Sequence, residues 1–401
     1  MQPLNALSTH VKQYLIVTAN YWAFTLTDGA LRMLVVLHFH GLGYSPIEIA
    51  FLFLFYEFFG IVTNLLGGWL AARIGLNRTM NAGLAIQVAA LGMLLVPSGW
   101  LTVAWVMLAQ ALSGIAKDLN KMSAKSAIKL LVSNDNQQGL YKWVAILTGS
   151  KNALKGVGFF MGGALLALLG FKLAILSMVI GLTLVWLFSV FTLQDDLGRA
   201  NNKPKFTQIF SKTSAINVLA AARLLLFGAR DVWFVVALPV YLIATMGWSS
   251  SFVGAFLATW VIAYGFVQSA APIITGVKTG KTPSGLSVVA WGLLLGLVTL
   301  GITLAVFNQL NPLYGLLPGL LIFGAVFAVN SSVHSYLIVK YASAEHVSMD
   351  VGFYYMANAA GRLIGTVLSG VLFQHYGLAA CLAVSSLFIV LSSVIALRLP
   401  R

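Results

Sequence analysis

The sequence predicts an all-α polytopic membrane protein with 12 transmembrane helices in two six-helix halves and both termini inside (N-in, C-in). Three observations predict it. Of 401 residues, 59% are hydrophobic and only 8% charged, and the mean hydropathy is +0.91, which leaves too little polar surface to cover a water-soluble fold. Apolar runs of the length that crosses a bilayer recur along the whole chain. The cations, 24 Lys plus Arg against 10 Asp plus Glu, fall in an alternating pattern that sets orientation. A soluble enzyme and a free nucleic-acid binder are both excluded by the first of these.

A helix in hydrocarbon satisfies its own backbone hydrogen bonds and needs about 20 largely apolar residues to cross. Such runs occupy 14–38, 47–71, 79–97, 101–122, 143–169, 171–192, 213–244, 249–274, 285–307, 312–339, 347–373 and 378–397. Breakers separate them, among them Gly43 to Pro46, Pro97 to Gly99, Asn311 with Pro312, and Gly377. The first thirteen residues lack a basic stretch followed by a short apolar run and a small-residue cleavage site, so the first span is expected to be retained. The single cysteine, Cys381, lies in an apolar run, so neither an internal disulfide nor a thiol-rich metal site is expected.

With the N-terminus placed inside, fifteen cations fall in inside segments: Lys12, Arg73, Arg78, Lys121, Lys125, Lys129, Arg199, Lys203, Lys205, Lys212, Lys278, Lys281, Lys340, Arg398 and Arg401. Only Lys172 falls outside. Most of the net +14 is therefore a topology signal that requires no nucleic acid. The longest hydrophilic stretch, 194–212, follows the sixth span and divides the chain into an N-terminal half (1–193), a cytoplasmic central loop (194–212) and a C-terminal half (213–401). A faint internal repeat agrees: Asp28 and Asp231 are 203 residues apart, and Gly43-Tyr44-Ser45 and Gly247-Trp248-Ser249 are 204 apart.

Gly68-Trp69-Leu70-Ala71-Ala72-Arg73-Ile74-Gly75-Leu76-Asn77-Arg78 resembles the loop signature of the major facilitator superfamily of secondary transporters, with Gly68, Arg73, Gly75 and Arg78 at its gating-loop positions. Ala72 stands where an acid is usual and Leu76 where a base is usual, so the salt bridge that this acid makes in relatives is not carried over. Gly158-Phe159-Phe160-Met161-Gly162-Gly163 resembles the tail of the antiporter motif without its Pro, although small residues at this spacing also let membrane helices pack closely.

Charges inside spans are the next signal, because each costs about 2.5–3.5 kcal/mol near the bilayer centre and so faces a cavity or a partner. Basic residues within spans, Arg32, Lys151, Lys155, Arg223, Arg230 and Arg362, outnumber the acids Asp28, Glu57 and Asp231. Spans three, six, nine and twelve carry none, apart from Lys172 at the outer edge of span six. In the fold that the chain resembles, those four stand at the periphery. A cation excess in a low dielectric favours an anion as the missing partner. Lys151 and Lys155, at i and i+4, share a helix face and repel unless something negative lies between them. Asp28 and Arg32, also at i and i+4, either neutralise each other or serve a ligand or a proton. Arg230 and its neighbour Asp231 point about 100° apart and are not expected to pair within their helix. Arg223 is read as a snorkelling interface residue. Glu57 and Asp231 are read, like Asp28, as proton-coupling sites or as counter-charges.

Ala111 to Leu131 (ALSGIAKDLNKMSAKSAIKLL) places Lys117, Lys121, Lys125 and Lys129 at four-residue intervals. Lys125 and Lys129 read as anchors on anionic lipid, and Lys117, Asn120 and Lys121 as the deep end of a funnel that draws an anion inward. His38, His40 and His334 are read as polar packing residues that could also carry protons. No HExxH, GxSxG, Walker or GxGxxG motif is present, so no ATP-driven or hydrolytic chemistry is expected, and the protein is read as a non-enzyme without cofactor or bound metal.

Thr25 to Pro46 (TLTDGALRMLVVLHFHGLGYSP) and Ala111 to Leu131 are both similar to the ArsJ organoarsenical efflux permeases, and the likeness runs along nearly the whole chain. The resemblance implies export of 1-arseno-3-phosphoglycerate, made when glyceraldehyde-3-phosphate dehydrogenase uses arsenate in place of phosphate, and hence arsenate resistance. It also implies a monomeric, multi-pass carrier of the bacterial inner (plasma) membrane, an antiporter by alternating access, whose partners are a small anionic substrate, membrane lipid and a functional link to that dehydrogenase. The expected substrate ligands are Arg32, Lys117, Asn120, Lys121, Lys151, Lys155, Arg230 and Arg362. A general organic-anion or phosphate-ester exchanger, or a membrane anion sensor that moves nothing, remains open on the residues alone.

Overall fold

Every regular element among the described residues is helical. The structure, a computed structural model, describes residues 9–44, 52–132, 136–193, 197–200, 204–210, 212–277, 280 and 282–401. Lys203, Lys278, Lys281, Ser45 and Pro46 lie outside the described residues, as do 194–196, 201–203 and 211 of the central segment.

Among the described residues eleven α-helices follow in order: α1 Thr9–Gly41, α2 Leu54–Ile74, α3 Leu76–Gly92, α4 Val103–Leu131, α5 Gln137–Thr192, α6 Ser214–Phe234, α7 Ala237–Ala244, α8 Ser250–Ile274, α9 Gly285–Phe307, α10 Leu316–Tyr341 and α11 Val347–Ala396. Local sequence sets many of the starts. The side chains of Thr102, Asn136, Thr213 and Ser249 accept hydrogen bonds from the first-turn N–H groups of Trp105, Gly139, Ile216 and Phe252, and Ser284 with Ser287 closes a capping box on α9. Two breaks fall inside the longest helices. Gly170 (φ 72°, ψ 174°) divides α5 and Gly377 (φ 75°, ψ −174°) divides α11, a conformation that only glycine adopts at low cost.

Eight stretches of the described residues are long and apolar enough to cross a membrane: 54–74, 76–95, 137–192, 214–244, 251–274, 285–307, 316–341 and 347–396. Helices α1 and α4, at 33 and 29 residues, are long enough but more polar. Their polar side chains are the reason, since Asn20, Thr25 and Asp28 on α1 and Ser113, Asp118, Asn120 and Lys125 on α4 are buried in protein.

The chain divides into two compact units. The first comprises Met1–Leu140, Ser150–Ser211 and Ala342–Phe353, and the second Tyr141–Gly149, Lys212–Tyr341 and Tyr354–Arg401. In the first, α4 packs on α1, α2 and α3. Helix α1 crosses α5 where Gly29 meets Gly158: a Cβ built on Gly29 would lie 2.6 Å from the Lys155 carbonyl oxygen, and one on Gly158 2.6 Å from that of Leu26. The glycine run that resembles an antiporter motif thus serves close helix packing, with Gly162 set against Ala30 one turn on. The central segment folds back on this unit: Leu76 N–H donates to the Leu197 carbonyl (2.8 Å), Ala200 N–H to that of Ala72 (2.9 Å) and Trp69 Nε1 to that of Pro204 (3.0 Å).

In the second unit α10 packs on α6, α8 and α9. Its core is aromatic, with Trp233 edge-on to Phe323 (4.9 Å between centroids), Phe323 stacked on Phe327 (5.5 Å) and Trp260 stacked on Tyr264 (5.7 Å). The Trp260 indole donates to the Leu320 carbonyl (3.0 Å), which satisfies its one polar atom.

The α1–α5 crossing gives a test. Gly158→Val should lower the stability of the solubilised protein by about 1–3 kcal/mol through overpacking, read as a fall in the thermal unfolding midpoint. Gly181→Ala, where nothing lies within 4 Å of the new Cβ, should not lower it.

Candidate functional site

Each unit carries its own buried charge cluster. In the first unit the centre is Asp28, 4% exposed. Tyr56 Oη donates to its Oδ1 (2.6 Å) and Lys155 Nζ lies 3.6 Å from its Oδ2. Lys117 Nζ sits 3.8 Å above the Tyr56 ring and 3.8 Å from Asp118, which Lys121 also contacts at 2.5 Å. Arg32, one turn beyond Asp28, pairs not with it but with Glu57 (3.4 Å), its guanidinium against the rings of Phe53 and Tyr56. The helical i, i+4 pair therefore does not form, because α2 and α5 offer each partner something else.

Lys151 and Lys155 share a face of α5 as the spacing requires, but their partners differ. Lys155 reaches Asp28, whereas Lys151 Nζ contacts only the Asn152 amide oxygen (3.2 Å) and has no carboxylate within ion-pair distance among the described residues. Lys155, Lys121 and Lys125 all lie within electrostatic range of Lys151, with Asp28 as the one acid among them. Four ammonium groups around a half-buried point with few acids form a local positive field.

Two expectations about α4 need correction, and one residue was missed. Asn120 turns toward α3, where its amide packs on Gly83 and donates to the Ala116 carbonyl (2.9 Å), apart from the lysines. Lys125 is buried and so is not a lipid anchor. Asp118, 1% exposed, is an acid that the lysine periodicity concealed; the string Lys117-Asp118-Leu119-Asn120-Lys121 carries the i, i+3 acid–base spacing that marks it. At the end of α4, outside the span, burial holds the Lys129 ammonium below the usual lysine range.

In the second unit Asp231, with no exposed surface, holds two arginines. Its Oδ1 accepts from Arg230 Nε at 2.6 Å and its Oδ2 from Arg362 Nε at 2.9 Å. The adjacent Arg230 and Asp231 do pair, against expectation, because the long arginine side chain reaches round the helix while the short carboxylate stays near the axis. Arg223 is likewise no snorkelling residue. It is 3% exposed, and its Nε donates to Asn358 Oδ1 (2.9 Å) and its NH1 to Ser331 Oγ (3.1 Å) and O (3.3 Å).

The loop motif lies between α2 and α3. Gly75 has φ 99°, Arg73 stacks over Trp69 at 4.8 Å, Arg78 is exposed, and Gly68 lies against Gly352, its carbonyl accepting from Ser348 Oγ (2.9 Å). His38 stacks on Phe171 at 3.9 Å, a packing role. No three His, Cys, Asp or Glu side chains converge among the described residues.

Residues 14–290 match the Major Facilitator Superfamily, more than half of the chain. The chain belongs to the major facilitator superfamily. As a secondary transporter of this superfamily, it is a multi-pass membrane protein. No curated protein matches it. The transporter shares its fold with solved structures. The human organic anion transporter MFSD10 (TETRAN) gives a TM-score of 0.77 at 17% identity over 97% of this chain and 100% of that one. FucP in the outward conformation gives 0.75 at 11% identity over 97% and 99%. A bacterial homologue of the iron transporter ferroportin in its outward-facing state with soaked iron gives 0.72 at 18% identity over 98% and 99%. At these identities the likeness is one of fold.

Asp231 carries the second cluster. Asp231→Asn should leave two partly buried guanidinium groups without their carboxylate and destabilise the transporter by about 3–5 kcal/mol. Adding Arg230→Gln should cost less than the sum of the single changes, a coupling that a double-mutant cycle on the unfolding midpoint measures.

Proposed function

We propose that this transporter exports a small, multiply charged oxyanion, the phosphorylated organoarsenical 1-arseno-3-phosphoglycerate, from the bacterial cytoplasm and thereby confers arsenate resistance. The observation that carries the anion reading is Lys151 in the first unit: its own partner is an amide oxygen, and three further lysines, Lys155, Lys121 and Lys125, lie within its electrostatic range against one carboxylate, Asp28, which Lys155 already holds. In a low dielectric such a field is relieved by an anionic ligand. The identity of the anion rests on the likeness of 25–46 and 111–131 to the ArsJ permeases, and a phosphate and an arsenate on one short carbon chain suit several Lys and Arg donors.

In this reading Arg32, Lys117, Lys121, Lys151, Lys155, Arg230 and Arg362 supply cationic contacts, and binding of the anion competes with their internal carboxylates. Asp28, Glu57 and Asp231 either carry the coupling proton of an antiporter or stay as counter-charges that hold the cations in place. Asp118 joins them. Twelve crossings with both termini cytoplasmic complete the proposal, α5 and α11 each crossing twice about Gly170 and Gly377. The carrier works as a monomer of the inner membrane by alternating access, and its substrate comes from glyceraldehyde-3-phosphate dehydrogenase acting on arsenate.

Everted vesicles supplied with glyceraldehyde-3-phosphate dehydrogenase, its substrates and arsenate should accumulate arsenic only when the transporter is present. Lys151→Gln with Lys155→Gln should cut the initial rate roughly tenfold or more, from the loss of two charge-assisted contacts of about 1.5–3 kcal/mol each. Equal accumulation by that double variant would remove these lysines from the substrate path.

A further inference from the structure

Arg223 is a buried cation whose hydrogen-bond partners are all neutral: the Asn358 amide oxygen, the Ser331 hydroxyl and the Ser331 carbonyl. Among the described residues no carboxylate lies within ion-pair distance of it. Neutral acceptors orient a guanidinium without cancelling its charge, and an uncompensated buried charge costs several kcal/mol unless something negative reaches it. The three bonds use Nε and NH1, so the NH2 edge of the fork remains to donate.

The surroundings hold further polar groups without partners among the described residues. His334, on α10 one turn beyond Ser331, is fully buried, and neither ring nitrogen has a hydrogen-bond partner among the described residues; it lies within electrostatic range of Arg223. Tyr354 is equally buried, its hydroxyl is unpartnered, and its ring lies 5.3 Å from the Arg223 guanidinium. Buried polar groups in folded proteins almost always find partners, so two orphaned side chains beside an unneutralised arginine mark a place where a ligand completes the set. The scaffold is well fixed. Gln268 of α8 donates to the same Ser331 hydroxyl (3.2 Å), and the Phe227 ring is packed by Arg223 at 3.8 Å and by Arg230 at 4.9 Å. Positions 223, 227 and 230 follow the i, i+4, i+7 spacing of one helix face.

We infer that Arg223, His334 and Tyr354 form an oxyanion subsite within the second unit, which takes one terminal phosphate-, arsenate- or carboxylate-type group of the substrate. The Arg223 fork donates to two ligand oxygens, and His334 and Tyr354 cap the others. Phe227 separates this subsite from the Arg230–Asp231–Arg362 group. The inference rests on the anion-export reading and extends it to residues that the charge pattern alone assigns to the membrane interface.

The test uses the full-length protein in lipid nanodiscs with two stable probes, 3-phosphoglycerate, which has an oxyanion at each end, and glycerol 3-phosphate, which has one. The wild type should bind the first roughly tenfold more tightly. Arg223→Gln should erase that preference while leaving glycerol 3-phosphate affinity within about twofold, the effect of losing one charged hydrogen-bond donor to the second group. Tyr354→Phe and His334→Gln keep the guanidinium and its protein contacts, and each should weaken 3-phosphoglycerate alone by roughly three- to tenfold. These two variants decide the matter where Arg223→Gln does not yield folded protein. A wild-type preference that survives all the folded variants overturns the subsite and leaves the export reading standing, and so does an equal loss for both probes in Tyr354→Phe and His334→Gln. A wild type that binds neither probe overturns both.

Discussion

A charge buried among apolar helices must find polar partners, and that constraint organises this transporter. With 34 charged residues in 401, it has few to spare. Most of those placed inside the helical units are gathered into two groups, one around Asp28 and Asp118 and one around Asp231, while Arg223 is held apart by neutral acceptors. Each carboxylate is shared between donors: Asp28 between Tyr56 and Lys155, Asp118 between Lys117 and Lys121, Asp231 between Arg230 and Arg362. Sharing of this kind leaves every group with more cation than acid.

The same constraint explains why α1 and α4 are the polar helices. A helix that carries such charges is stable in a bilayer only if each finds a partner: Asp28 and Arg32 find theirs on α2 and α5, whereas Lys117 and Lys121 share Asp118 within α4 itself. Close approach makes that supply possible. Gly29 and Gly158 let α1 and α5 touch backbone to backbone, which brings Lys155 within 3.6 Å of Asp28. A bulkier residue at either glycine would push the amino group away from the carboxylate, so packing and electrostatics at this crossing are one feature. The aromatic rings have a related part: Tyr56 and Phe227 each lie against cations, offering a π face where a carboxylate would neutralise them fully.

Much of this was legible in the sequence. Apolar runs and their breakers announce a helical membrane protein, and Gly377 ends a span where the chain shows a non-helical residue. Gly170, lying between two apolar runs, does the same. The inventory of intramembrane charges was legible too, since charge in an apolar run is conspicuous. Pairing was not. Periodicity along one helix gives the face a residue occupies, but partners come from other helices, and their identity depends on crossing points that no single run encodes. That is why Asp28 and Arg32 part company and why Arg223 finds Asn358 and Ser331, 135 and 108 residues away; Arg230 and Asp231, neighbours on one helix, meet because the arginine is long enough to reach round it. Asp118 was hidden for another reason: a stripe of four lysines drew attention from the acid that partners two of them.

The loop between α2 and α3 shows how a departure from a family pattern can be absorbed. Where relatives carry an acid this chain has Ala72, and where they carry a base it has Leu76. Charged contacts at those two positions are therefore unavailable, and the structure replaces them with neutral ones. Ala72 is buried with Ala200 and Met349 in a small apolar cluster, and its carbonyl accepts from the Ala200 N–H. Leu76 packs on Gly198, and its own N–H donates to Leu197. Ser348 bonds the Gly68 carbonyl beside the Gly68–Gly352 contact. Apolar burial and backbone hydrogen bonds are less sensitive to ionic strength than an exposed ion pair. Ala72 and Leu76 thus fasten the loop through shape and backbone hydrogen bonds.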